Sequence, residues 1–240
     1  ATAYIQKKPN IFEKIHNILS VIFPFIIIGI ASFFAARSSK NDKYNYGKKG
    51  KDLKDVPNFR DIPCDKDIFY AYWTSDVYDL HKNRTDFLGA ILLKWINEGV
   101  VLIEKIEVKG ILKSSEETVI TFVKKPENGN HLEQDLYDYM YKASGDGKLE
   151  TNEFKKWCKN NYEKILNWFK KVLEFERDEL VSRNLVLFKE YEGGKLLKYK
   201  YHQYEITDKV REEAIKMKGL KKFLKEHSVK RLEPAKSREV

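Results

Sequence analysis

The hydropathy pattern opens with an uncharged run of 22 residues, Ile15 to Ala36, reading IHNILSVIFPFIIIGIASFFAA. Thirteen of those 22 positions are Ile, Leu, Val or Phe. At ~1.5 Å rise per residue such a helix reaches about 33 Å, enough for a ~30 Å hydrocarbon layer. Pro24 would break a helix in water but is tolerated in lipid as a kink. The pattern predicts a transmembrane helix over 15–36. A buried core helix is the bland alternative, but such helices seldom run this far without a charge. A cleavable leader is the sharper one, with Lys7, Lys8 and Lys14 as its basic part and Gly29-Ile30-Ala31 as a small-x-small site. The apolar run continues through Phe33 and Phe34 past that site, which favours the anchor. Basic residues are denser after the run (Arg37, Lys40, Lys43, Lys48, Lys49, Lys51, Lys54) than before it. The carboxyl side is therefore expected in the cytoplasm, with residues 1–14 as an extracytoplasmic flank of a single-pass cell-membrane protein.

Residues 37–58 are polar, basic and nearly free of aliphatics, and read as a juxtamembrane linker, with folded structure beginning at Phe59. From Asp67 the period turns helical: Phe69, Tyr72, Trp73, Val77 and Leu80 recur every three or four residues behind a cap at Asp65 or Asp67. A second helix follows an N-cap at Thr85, with Phe87, Leu88, Ile91, Leu92, Trp95 and Ile96 as its apolar stripe and Gly99 just past its end. The runs Val100–Val108 and Thr118–Val123 alternate as strands of a hairpin. Helix, helix, strand, wing, strand is the order of a winged helix, and it defines a module over 59–126.

Lys124-Lys125-Pro126 and Asn128-Gly129-Asn130 mark a boundary. A helix over Leu132–Tyr141 comes next, then a Thr151 cap and a long amphipathic stretch from Phe154 through Trp157, Ile165, Trp168, Phe169 and Leu173 to about Leu180. Leu185–Tyr191 and Lys198–Glu205 form a second hairpin around Gly193-Gly194. This second helix-plus-hairpin module spans 127–208. A basic amphipathic tail, 209–240, begins as a helix near Asp208 that Gly219 interrupts. Packing of its stripe (Val210, Ala214, Met217, Leu220, Phe223) on the second module is favoured over docking on a membrane surface. The expected fold class is α+β, mainly helical: one transmembrane helix followed by two winged-helix-like modules.

Composition narrows the chemistry. Among 240 residues the net charge is +9, 42% are hydrophobic, and the two cysteines form no CxxC. Neither a disulfide framework nor a zinc module is available. The positive charge avoids the wing: residues 67–126 hold eight basic and nine acidic residues, and the tail 209–240 holds eleven against five. In the would-be recognition helix Arg84 and Lys94 are offset by Asp86 and Glu98. Nucleic-acid binding is disfavoured on this distribution.

Ser144-Gly145-Asp146-Gly147-Lys148-Leu149-Glu150-Thr151-Asn152-Glu153-Phe154 imitates a calcium loop. With Gly147 at loop position 6, Asp146 falls at 5, Leu149 at 8 and Glu153 at 12, but Ser144 stands at 3 and Lys142 at 1, where the first carboxylate belongs. A plain glycine turn before a capped helix is the favoured reading. His16, His81, His131, His202 and His227 are scattered, with no metal-ligand spacing. Cys64, in Pro63-Cys64-Asp65, has no local base and reads as a turn thiol rather than a nucleophile. No phosphate-binding glycine loop or nucleophile elbow occurs. The residues point to no catalytic, cofactor-binding or metal site and to no cofactor.

Three segments carry a resemblance: RDIPCDKDIFYAYW (60–73), TDFLGAILLKWINEG (85–99), and YEITDKVREEA with GLKKFLKEHS (204–228). In this order they resemble the carboxy-terminal half of the YciQ-like bacterial membrane proteins, a family whose domain has no assigned function. The resemblance implies a membrane helix, a cytoplasmic α/β part, and an extracytoplasmic β-rich domain upstream of a partial chain. It brings no catalytic residues. The function expected is a membrane-anchored cytoplasmic interaction scaffold without catalysis, its partners the bilayer and an unidentified protein. A membrane-tethered DNA-binding regulator is the alternative.

Overall fold

Asp67 starts the first helix by accepting hydrogen bonds from the backbone N–H groups of Phe69 (2.8 Å) and Tyr70 (3.3 Å) on one carboxylate oxygen. This is helix α1, Ile68–Val77. The computed structural model describes residues 53–81, 83–109, 114–193 and 199–230. Helix α2 is Thr85–Asn97, strand β1 Val101–Lys109, strand β2 Ser114–Phe122, and helix α3 His131–Ser144. Strand β3 (Lys148–Glu150) precedes helices α4 (Thr151–Asn160) and α5 (Tyr162–Ser182). Strands β4 (Val186–Gly193) and β5 (Tyr199–Ile206) lead into helix α6 (Asp208–Lys230).

The chain divides into two compact units. One is residues 83–171; the other joins 53–81 to 172–230, so α5 belongs to the first through Lys171 and to the second from Val172. In the first unit β1, β2 and β3 form an antiparallel sheet in that order, with Val101 opposite Phe122 and Ile120 opposite both Ile103 and Leu149. Its core gathers Ile91, Trp95, Ile120, Leu132, Leu136, Met140, Leu149, Trp168 and Phe169, each almost fully buried. At about 1.5–3 kcal/mol per buried apolar side chain, this set dominates the unit's stability. Trp168 satisfies its indole N–H on the Leu132 carbonyl at 2.8 Å, as a buried indole must.

In the second unit α1 packs on α6, and Tyr70, Trp73, Leu180, Val186, Val210 and Ala214 share one core with Leu53 and Val56. Strands β4 and β5 pair antiparallel, Phe188 opposite Tyr204 and Glu190 opposite His202.

Several expectations need correction. The transmembrane helix expected over 15–36 lies outside the described residues. Among the described residues no helix is long and apolar enough to cross a membrane. The described residues form an α+β fold of six α-helices and two small antiparallel sheets, and this replaces the expected fold class, with its spanning helix, and the single-pass cell-membrane localisation.

The winged-helix modules also give way. The boundary between units falls between α1 and α2, because α1 carries buried aromatics on several sides and buries them against segments more than 100 residues away. The wing is not a free hairpin either, since β3 adds a third strand to it.

Local caps differ too. Arg84 and Glu150, not Thr85 and Thr151, occupy the N-cap positions of α2 and α4, each threonine being the first helical residue. The amphipathic stretch breaks at Asn161. Leu53 and Val56 are core residues rather than linker, and α6 runs through Gly219 without interruption.

Candidate functional site

The most unusual backbone in the second unit is Cys64-Asp65-Lys66. All three residues are left-handed, with φ of 56°, 55° and 62°. That conformation costs an L-residue roughly 1–2 kcal/mol. The turn is held by hydrogen bonds from Lys66 N to the Pro63 carbonyl (3.2 Å) and from Asp67 N to the Cys64 carbonyl (2.9 Å). Cys64 N donates to Glu213 Oε2 of α6 at 2.5 Å, and Lys216 Nζ donates to the other Glu213 oxygen at 2.6 Å. Arg183, just past the end of α5, closes the outside of the turn, its guanidinium 2.7 Å from Asp65 Oδ2 and 5.4 Å from the centre of the Tyr70 ring.

A strained turn beside a cleft of about 440 Å³, lined by Phe59, Ile62, Pro63, Lys66, Glu213 and Lys216 among others, invites a catalytic reading. Its chemistry argues otherwise. Cys64 is fully buried, its thiol directed at Met217 Sδ 3.6 Å away. Burial, reinforced by the negative charge of Glu213, pushes that thiol up to about 12, so no thiolate forms near neutrality. Burial alone pushes Cys158 up to about 12 as well. Glu213 is already engaged by an N–H and an ammonium. Glu176 of α5 is 3% exposed and desolvation lifts it to about 8, with Asp67 and Glu179 adding like charge and Arg183 opposing. A buried carboxylic acid of this kind was not legible in the sequence, where Glu176 is one acid among many on a long helix.

In the first unit α2 carries the residues that a DNA-reading helix would use. Lys94 Nζ lies 2.7 Å and 2.8 Å from the two oxygens of Glu133, and Trp95 Nε1 donates to the same carboxylate at 2.7 Å. Glu133 is 1% exposed at the start of α3, its own backbone N–H bonded to Asn130 Oδ1 at 3.0 Å. Lys94 is thereby engaged by Glu133.

The histidines make other contacts. His81 touches Ser75 Oγ (3.2 Å), His202 stacks on Phe188 (4.9 Å between centroids), and His227 bonds the Phe223 carbonyl (2.9 Å). His131 opens α3, while His16 lies outside the described residues. Among the described residues no group of three or more His, Cys, Asp or Glu is placed to hold a metal ion.

What remains is a surface. Leu102 and Ile106 of β1 lie on one face of the three-stranded sheet, and the alternation of β2 continues that face to Val123, whose N–H bonds the Val100 carbonyl at 2.9 Å. These side chains are 52%, 37% and 56% exposed. The inward set, Val101, Ile120 and Leu149, is buried. Alternation read along 100–108 could have found this face, but alternation alone does not say which side turns to solvent. Comparison with family models, curated proteins and solved structures gives no match to the chain.

Proposed function

We propose that the chain is a non-enzymatic interaction module that holds a protein partner against the outer face of the β1–β2–β3 sheet. The supporting observation is the exposed row Leu102, Ile106 and Val123 on a single sheet face. Clustered exposed aliphatics on a folded unit mark interaction surfaces more often than isolated ones do. Strand β1 is also at the edge of its sheet, the position at which a partner's strand can be added. Neither thiol offers a nucleophile near neutrality, because burial pushes both up to about 12. A duplex-binding reading loses Lys94 to Glu133.

The test places a photo-crosslinking residue at position 102, at 123 or at the exposed control Lys156 in the same unit. A discrete adduct from 102 and 123 that is absent from 156, and is lost from 123 when Leu102→Asp is added, supports the reading. Equal adducts from 156, or none from the sheet face, would overturn it.

A further inference from the structure

We propose that β1 is where a second copy of this chain docks: two β1 strands pair antiparallel about a two-fold axis at Ile106 and join the two three-stranded sheets into one. The inference concerns the edge of the sheet and stands whether or not a partner lies on its outer face.

The two edges of this sheet are unequal. Strand β3 is three residues long and runs straight into α4. Strand β1 has nine residues, contains no proline, and pairs with β2 residue for residue without a bulge. Brevity, proline and bulges blunt an edge, and β1 has none of them; its only guard is charge. Glu104, Lys105 and Ile106 are exposed in succession, so both faces of the strand reach solvent at its middle. The Val123 N–H on the Val100 carbonyl sets the phase of the ladder. Even-numbered residues of β1 bond β2, and odd-numbered ones turn their N–H and C=O away from it. The Phe122 N–H on the Gly147 carbonyl agrees, since even-numbered residues of β2 then face β3.

The alternating charges select both the partner and the register. A residue on the two-fold axis of an antiparallel pair meets itself. Centring the pair on Glu104 or Glu107 sets glutamate against glutamate, and centring it on Lys105 sets lysine against lysine. Centring on Ile103 avoids like charges but pairs only 101–105 and gains no opposite pair. Centring on Ile106 sets Ile106 against itself and Lys105 against Glu107 of the second copy, twice. In that register the hydrogen-bonded positions are 103, 105, 107 and 109, the ones whose backbone groups turn outward. Ile106 then falls in a non-hydrogen-bonded pair, where side chains approach closest. The strand is thus complementary to itself in charge, in backbone phase and at its central apolar residue.

The experiment is sedimentation equilibrium of the full chain, joined to disulfide trapping. Wild type should show a concentration-dependent dimer. Lys105→Glu turns both opposite pairs into like ones and should weaken the dimer roughly fivefold or more; adding Glu107→Lys should restore it. Ile106→Cys should give a disulfide-linked dimer under oxidised glutathione, because the Cα atoms of such a pair stand ~4.5 Å apart. Glu104→Cys should not, since four strand residues separate the two copies of that position, about 14 Å against a reach of about 7 Å. The native Cys64 and Cys158 are buried and give the background. Val123→Asp, on the outer face and off the edge, should leave the dimer intact, which separates this proposal from a partner on the face. A monomer at every concentration, a dimer indifferent to Lys105→Glu or lost in Val123→Asp, or equal trapping at 104 and 106 would each overturn it. Should Lys105→Glu misfold, the two cysteine variants decide by the same outcomes.

Discussion

Glu133 is held by two consecutive residues of α2: Lys94 Nζ lies 2.7 Å from its Oε2, and Trp95 Nε1 lies 2.7 Å from its Oε1. The carboxylate is 2% exposed, while Lys94 is 28% exposed and can reach water. Replacing a buried pair by apolar residues is often neutral, but removing one partner is not. Glu133→Ala strands the Trp95 indole N–H and the Lys94 ammonium, and is expected to cost about 3 kcal/mol. Urea unfolding measures it. A loss below about 1 kcal/mol would show that the carboxylate is dispensable.

The left-handed turn gives a prediction of opposite sign. Cys64 is in the core and Asp65 pairs with Arg183, but Lys66 is exposed at φ 62°. Glycine adopts that conformation without a Cβ penalty. Lys66→Gly should therefore raise stability by about 1 kcal/mol, net of the unfolded-state entropy that glycine adds. A drop in the urea midpoint would mean that the turn carries no strain at that residue.

Much of the secondary structure was legible because helix and hairpin signals are local. Asp67 caps α1, Gly99 follows α2, and both hairpins stand within a few residues of the apolar runs that announced them. What failed was nonlocal. Val56 and Leu53 sit in a polar stretch, and only their burial against α1 and α6 makes them core residues. Lys148–Glu150 is too short to alternate visibly, so its pairing with β2 could not be read from the chain. Lys94 was legible as bracketed by apolar residues, but its partner lies 39 positions away. For the same reason Glu176 looked like any surface acid. Its burial comes from packing, which period alone does not specify.

Glu176 should make the second unit's stability depend on pH. Its ordinary value of 4.5 is raised to about 8, first by desolvation and then by the charge of Asp67. The folded form keeps a proton that the unfolded chain releases above about pH 4.5. Stability is therefore full below that value, declines as pH rises toward 8, and flattens beyond it. The slope is at most about 1.4 kcal/mol per pH unit. Glu176→Gln keeps the shape without the ionisation. It should unfold at a higher urea concentration than wild type at pH 8 and lose most of the decline between pH 5 and 8. Tyr70 and Cys64 are also raised, but their ordinary values place any effect above pH 9. A variant that declines as steeply as wild type would move the effect to another group.

The last prediction sets local propensity against packing at Gly219. In the middle of a helix, alanine is favoured over glycine by about 1 kcal/mol, so propensity alone says that Gly219→Ala stabilises α6. A Cβ there, however, would lie 2.4 Å from the Pro57 carbonyl oxygen and 3.0 Å from Phe59 Cβ. The backbone of 57–59 has to retreat, and that segment runs next to the buried Leu53 and Val56. It is tied to α6 by Lys218 Nζ donating to the Leu53 carbonyl and by Asn58 Nδ2 donating to Glu226 Oε2 at 2.8 Å. Overpacking of this sort costs about 1–3 kcal/mol, which offsets or exceeds the helical gain. Gly219→Ala should therefore lower stability, and trypsin should cut at Lys54 or Arg60 sooner than in wild type. The exposed neighbour Lys222→Ala should do neither. A Gly219→Ala protein that is more stable and equally resistant would show that residues 57–59 do not press on the helix at all.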